Sequence, residues 1–364
     1  MARIRNLIYN GITVEQPIYN GIELTQWVHN GIVVWEKGDN PPIPIQATQV
    51  TPPSNIYWDS YMSYHNGRLY YSGIDTQSYQ SGHMYSIPYD DISGTPHQEG
   101  STYQVQAIRC YNDLAHSYIS DDYRVFLPWN SNVRMLGKSI WSEPVEGDYY
   151  VAYTTTYDET TQTRVYSFWT YNKSDLTVLT TLPDIHSYGN NVVFISSTEF
   201  LVCSNRYSYS IFINNSLSQT ITFSDENFRP QAFFNNYIVG ISTYYYMDGN
   251  TRKTGYKICK VAYGSNVVEH ILDATYIGYT IKIDDYLTWD YTVDGKDKDY
   301  VVFHGQKMDI PLPPNQVVFI CDRNFNVYVT DILQGYFYNE AFQLIGKYLI
   351  NIGNECMYEL TFPS

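Results

Sequence analysis

Positive charge is scarce in this chain. Lys and Arg number 22 against 37 Asp and Glu, a net charge of −15 over 364 residues. A surface of that sign repels a phosphate backbone rather than releasing its counterions, so no nucleic acid is expected as a partner. Long hydrophobic runs are also lacking. The longest span four to six residues, far short of the roughly 20 that a membrane-spanning helix needs, and no membrane insertion is expected. Cysteine is sparse and scattered: Cys110, Cys203, Cys259, Cys321 and Cys356 lie at least 35 residues apart. That spacing excludes a disulfide framework or a local zinc site and suits buried thiols on strands.

Motifs of chemistry are missing as well. The eight histidines are at least 14 residues apart, so no His-Glu-x-x-His helix exists, and no metal or cofactor is assigned. Gly-x-Ser-x-Gly is absent, and Gly137-Lys138-Ser139 is preceded by Asn132 where a phosphate loop needs its first Gly. The acidic stretch Asp284, Asp285, Asp290, Asp294, Asp297 and Asp299 carries interleaved lysines and departs from the order of a calcium loop, which reads as solvated turns. No catalytic residue is named and no enzyme activity is expected. The start of the chain has Arg3 and Arg5 but no seven-residue apolar core before its first turn. This argues against a secretory signal and for synthesis and assembly in the cytoplasm.

What is abundant is tyrosine, 39 residues beside 15 Phe and 7 Trp. Such a composition favours strands and large amphipathic contact surfaces. The first 36 residues repeat at a spacing of ten: Ile8-Tyr9-Asn10-Gly11-Ile12, Ile18-Tyr19-Asn20-Gly21-Ile22 and Val28-His29-Asn30-Gly31-Ile32. Asn-Gly is the preferred pair for a two-residue type I′ hairpin turn, because both central residues need positive φ. Each copy predicts a reversal. Ile12, Val14 and Ile18 alternate with Thr13 and Glu15, as do Ile22, Leu24 and Val28 with Glu23 and Thr25. The expected product is a small four-stranded antiparallel meander over residues 1–37 with one apolar face, too small to form a core alone and suited to docking.

These tandem Tyr-Asn-Gly hairpins, ending in Val33-Val34-Trp35-Glu36, resemble the N-terminal segments of bacteriophage tail, baseplate and other virion structural proteins. The resemblance covers about a tenth of the chain. It implies a protein mounted on a virus particle through residues 1–37, in contact there with other virion proteins, present in several copies and located in the virion. Heptads and Gly-X-Y repeats are lacking, so a compact head is expected rather than a long fibre.

Residues 38–54 carry five prolines and read as an extended linker. Beyond it, residues 55–364 are short apolar-aromatic runs broken by turn residues, with no helical pattern of eight or more. A polar pair followed by an apolar strand recurs at Asn66-Gly67, Gly147-Asp148, Asn190-Asn191, Asn235-Asn236, Asp284-Asp285 and Gly346-Lys347, at spacings of 81, 43, 45, 49 and 62. The first spacing fits two units of about 40, and propeller blades run to ~40–50 residues. The expected fold is all-β, with the meander followed by a six- or seven-bladed β-propeller whose last strand, Cys356 to Phe362, closes the ring beside Ile56-Tyr57-Trp58.

An aromatic ring stacks on the apolar face of a sugar while neighbouring polar groups bond its rim. Trp58, Tyr61, Tyr244, Tyr246 and Trp289 lie near expected strand ends or hairpins, the Tyr244–Tyr246 run reversing near Asp248-Gly249-Asn250. They are the candidate contacts for a host surface polysaccharide or a neighbouring virion protein. The functional expectation is a tail-associated virion structural protein. The rival is a polysaccharide depolymerase on the same scaffold, since fold alone fixes no activity.

Overall fold

Where both faces of a strand are buried, alternation gives way to an unbroken apolar run. Gln316–Asp322 is such a strand: Val317, Phe319 and Cys321 enter one hydrophobic cluster, while Val318 and Ile320 enter the next. Each lies between two stacked sheets. The computed structural model describes the backbone of six short strands before residue 41 and then residues 41–363 apart from 57, 59–61, 75–80, 100–106, 112–113, 120–121, 137–140, 144–147, 188–191, 206–207, 215, 250, 282–294, 297–298, 309–315, 334–341 and 353–354. No helix occurs among the described residues. The chain divides into two compact units, Met1–Pro42 and Ile43–Ser364.

Among its described residues the first unit contains three hairpins, Leu7–Tyr9 with Ile12–Val14, Ile18–Tyr19 with Ile22–Glu23, and Gln26–His29 with Ile32–Glu36. Among the described residues the pairing forms three two-stranded sheets. The rungs Tyr9↔Ile12, Tyr19↔Ile22 and His29↔Ile32 each close on a two-residue connection, the length an Asn-Gly turn dictates. The turn residues Asn10, Gly11, Asn20, Gly21, Asn30 and Gly31 lie outside the described residues.

The second unit is a seven-bladed β-propeller. Blade one is Ser63–His65, Arg68–Ile74, Ser81–Pro88 and His97–Glu99, and blade two is Ala107–Tyr111, Leu114–Ile119, Asp122–Leu127 and Asn130–Leu136. Blade three follows with Trp141–Glu143, Tyr149–Asp158, Thr163–Asn172 and Val178–Ser187, and blade four with Val192–Phe194, Glu199–Asn205, Ser208–Ile213 and Ser216–Ile221. Blade five is Phe228–Phe234, Tyr237–Asp248, Thr251–Ala262 and Glu269–Asp273. Blade six is Tyr279–Ile281 with Gly295–Lys296, then Tyr300–Lys307, Gln316–Asp322 and Val327–Thr330. Blade seven takes Phe342–Ile345, Tyr348–Asn351 and Cys356–Thr361 from the end of the chain and Ile43–Val50 from its beginning. Hydrophobic clusters join blade two to three, three to four, four to five, five to six, six to seven and seven to one.

Closure corrects two expectations. Ile43–Val50, read as linker, is the outer strand of blade seven, paired from Thr361↔Gln46 to Met357↔Val50, and Ile56 instead bridges Gly73 in blade one. Four of the five prolines flank the strand, and Pro44 sits near its start, where a missing N–H is tolerated. Ile45 is buried. The same strand also runs parallel to blade six through Tyr328↔Ile43 and Thr330↔Ile45, so it stitches two blades at the seam.

The turn chemistry holds at two of the pairs. Asn66 and Gly67 have φ of 46° and 73°, and Asn235 and Asn236 have 48° and 65°, as type I′ requires. Both pairs, like Gly346-Lys347, join the innermost strand of a blade to the second. Asn190-Asn191, outside the described residues, precedes an innermost strand instead, so the recurrence was not one structural position throughout.

Much of the aromatic surplus locks one blade to the next. The turn between the third and fourth strands of a blade presses an aromatic onto the first turn of the preceding blade. Trp129 stacks on His65 with centroids 4.3 Å apart, Phe325 meets Tyr237 edge-on at 4.9 Å, and Tyr89 meets Tyr348 at 5.1 Å. Tyr89 Oη also accepts the Lys347 amide at 2.7 Å. Beside this lock the Met62 amide donates to Gln343 Oε1 at 2.7 Å, and Gln343 Nε2 donates to the Met62 carbonyl at 2.6 Å. Both residues are buried. Gln343→Leu leaves two backbone groups unpaired at the ring seam, each costing ~1–3 kcal/mol; a lowered thermal midpoint with unchanged far-UV circular dichroism is the expected result.

Candidate functional site

Connections between the second and third strands mark one end of the propeller, and two hairpins there outgrow their neighbours. In blade five the inner strand stops at Phe228↔Ser242 and the outer at Lys257↔Asp273. Six further rungs, Thr243↔Tyr256 to Asp248↔Thr251, belong to the two central strands. At ~3.3 Å per residue the arm extends about 20 Å. Blade three has central strands of 10 residues each, whereas those of blade four, between the two arms, have 7 and 6.

Alternation sorts the arm of blade five into two faces. Tyr244 and Tyr246, expected as contacts, lie half-buried on one of them, their rings 6.2 Å apart. The Tyr244 ring covers Gly255, where an added Cβ would fall 2.4 Å from it, and its hydroxyl donates to Asp273 Oδ1 at 2.9 Å. Lys257 Nζ lies 5.1 Å from the same ring. Tyr244 thus braces the arm against the end of the outer strand. Trp58 is likewise half-buried against the core shared by blades seven and one. Tyr61 and Trp289 lie outside the described residues.

The opposite face is the exposed one. Tyr245 is 65% exposed and Met247 63%, and the Arg252 guanidinium lies 3.6 Å above the Tyr245 ring. The signal was present in the triplet Tyr244-Tyr245-Tyr246, because period-two alternation must turn the middle ring away from its neighbours. Lys253 pairs with Asp248, which raises its pKa chiefly through that hydrogen bond. Arg252 has no carboxylate partner among the described residues.

The tip of blade three has the complementary sign. Tyr157 is 60% exposed. Asp158 accepts the Thr161 hydroxyl at 2.8 Å and the Thr160 amide at 2.9 Å, and these bonds hold its carboxyl below the usual range. Glu159 is exposed, with no hydrogen bond or ion pair among the described residues. No group of three His, Cys, Asp or Glu among the described residues is placed to hold a metal ion.

No family profile matches the chain, and no curated protein does. Among solved structures, the WD40 β-propeller domain of Doa1 is similar at 10% identity and TM-score 0.45, over 88% of this chain and 97% of that one. BamB from Moraxella catarrhalis is similar at 11% and 0.40, over 87% and 98%. The β-propeller domain of the Trilobed protease from Pyrococcus furiosus is similar at 7% and 0.40, over 84% and 78%.

Tyrosine burial makes the propeller sensitive to alkali. Burial raises Tyr171 to about 12 and pushes Tyr209 higher still, and the hydrogen bond to Glu199 raises Tyr263 to about 12. A folded-state pKa above the unfolded value of about 10 favours the folded state fully below pH 10, and that contribution is lost as pH climbs through the raised values. Tyrosinate absorbance at 295 nm is expected to rise in part with ordinary exposed rings and in part together with loss of far-UV circular dichroism above pH 11. Completion of the titration with the fold intact contradicts this.

Proposed function

We propose that this chain is a structural component of a virus particle, of the tail-associated kind, mounted through its first 42 residues and making its contacts with the end of the propeller opposite Ile43. The observation that carries the reading is polarity. Pairing of Thr361 with Gln46 puts Ile43, where the chain enters the propeller, at the end bearing the turns between third and fourth strands. The exposed Tyr157, Tyr245 and Met247 are at the opposite end. A propeller that the chain enters at one end and that carries rigid amphipathic rings at the other is organised for binding, either to host surface glycan or to neighbouring virion proteins. The tandem hairpins and their resemblance to phage virion segments support the mount.

The test compares full-length chain with residues 43–364 in particles assembled in the cells that carry this gene. Full-length protein is expected to co-purify with particles, and the truncated chain to remain folded in the soluble fraction. Equal incorporation of both, or absence of both from every particle fraction, overturns the reading.

A further inference from the structure

We infer that two copies of this chain pair face to face, the arm of blade five in each seating on the tip of blade three in the other. This concerns the chain free in solution, before it is mounted on a particle, and its test needs only purified protein. The partner is identified by charge. At the blade-five tip Asp248, Arg252 and Lys253 leave one net positive charge, and Lys253 is already engaged by Asp248. Arg252 remains, spread over the Tyr245 ring. At the blade-three tip Asp158 is engaged by Thr160 and Thr161, and Glu159 remains beside the exposed Tyr157. Asp158, Glu159 and the half-buried Arg164 sum to one net negative charge. Arg164 lies across the ladder from Tyr157, so it is the net charges of the two tips that are opposite in sign, each beside an exposed ring.

The ring of blades supplies the symmetry. Blades three and five flank blade four, so a two-fold axis along the radius of blade four carries three onto five and five onto three. Both contacts form at once, as a closed isologous interface requires. The short central strands of blade four, 7 and 6 residues, leave room between the arms. Tyr, Met and Arg are also the side chains that enrich the buried centres of protein interfaces, where a few of them dominate affinity.

Sedimentation equilibrium of the full chain at several concentrations is the test, with circular dichroism reporting the fold of each variant. Wild-type protein is expected to form a dimer that weakens as salt rises. Arg252→Glu and Glu159→Arg alone are each expected to raise the dimer Kd at least tenfold, and the double variant to regain most of that loss. Tyr245→Ala is expected to weaken the dimer with no change in thermal midpoint. A monomer at every concentration overturns the inference, and so does an oligomer indifferent to both charge reversals and to Tyr245→Ala, or a double variant no better than the singles.

Discussion

Removal of residues 1–50 is expected to yield aggregated protein, whereas removal of residues 1–42 leaves a soluble, cooperatively folding propeller. Eight residues separate the two outcomes. The longer deletion removes Ile43–Val50, which pairs with Cys356–Thr361 on one side and with Val327–Thr330 on the other. It also removes Ile45 from the cluster it shares with Val302, Val318 and Leu344. Two strand edges lined by apolar side chains then stand open, the state that invites pairing between molecules. The shorter deletion takes no strand from the seven blades. Light scattering on a sizing column separates the outcomes, and a monodisperse product from the longer deletion would show that the seam does not hold the ring.

The second large effect is expected at Phe319. Its side chain has no exposure, lies in the core between blades five and six, and meets Tyr279 edge-on at 5.4 Å. Its ring also covers Gly305, where an added Cβ would fall 2.5 Å away, so the packing is shaped to this one ring. Phe319→Ala opens a cavity between two sheets that cannot slide together without disturbing their other neighbours. The expected cost is ~3–5 kcal/mol, or roughly 4–8 °C in thermal midpoint for a domain of this size. Differential scanning calorimetry measures it; a shift of a degree or less would mean that the blades repack freely.

These effects show why some parts of the architecture were legible in sequence and others were not. Asn66-Gly67 and Asn235-Asn236 announce their turns because positive φ at two successive residues admits few side chains. The run Val317-Val318-Phe319-Ile320-Cys321 announces burial on both faces, but only a stack of sheets says which neighbour takes which face. Ile43–Val50 was hidden by the prolines around it, although Ile43, Ile45 and Ala47 already alternate with Pro44, Gln46 and Thr48. Its partner lies at the other end of the chain, beyond reach of any local pattern.

The aromatic surplus divides in the same way. Composition foretold rings at contacts, and the structure commits Tyr89, Trp129 and Phe325 to contacts between blades. Tyr244 and Tyr246 lie on the half-buried face of their hairpin, because a local motif fixes which residues share a side of a strand but not which side meets the protein. The arm's length, by contrast, follows from where Phe228–Phe234 and Glu269–Asp273 end, a property of neighbouring strands rather than of the arm itself.

Cryo-electron microscopy of intact particles from the source of this gene tests the central claim most directly. The account predicts seven-lobed density with the Ile43 end of the propeller toward the particle and the hairpin tips of blades three and five directed away from it. Particles that lack such density, or that hold the propeller by those tips with the Ile43 end outward, would contradict it.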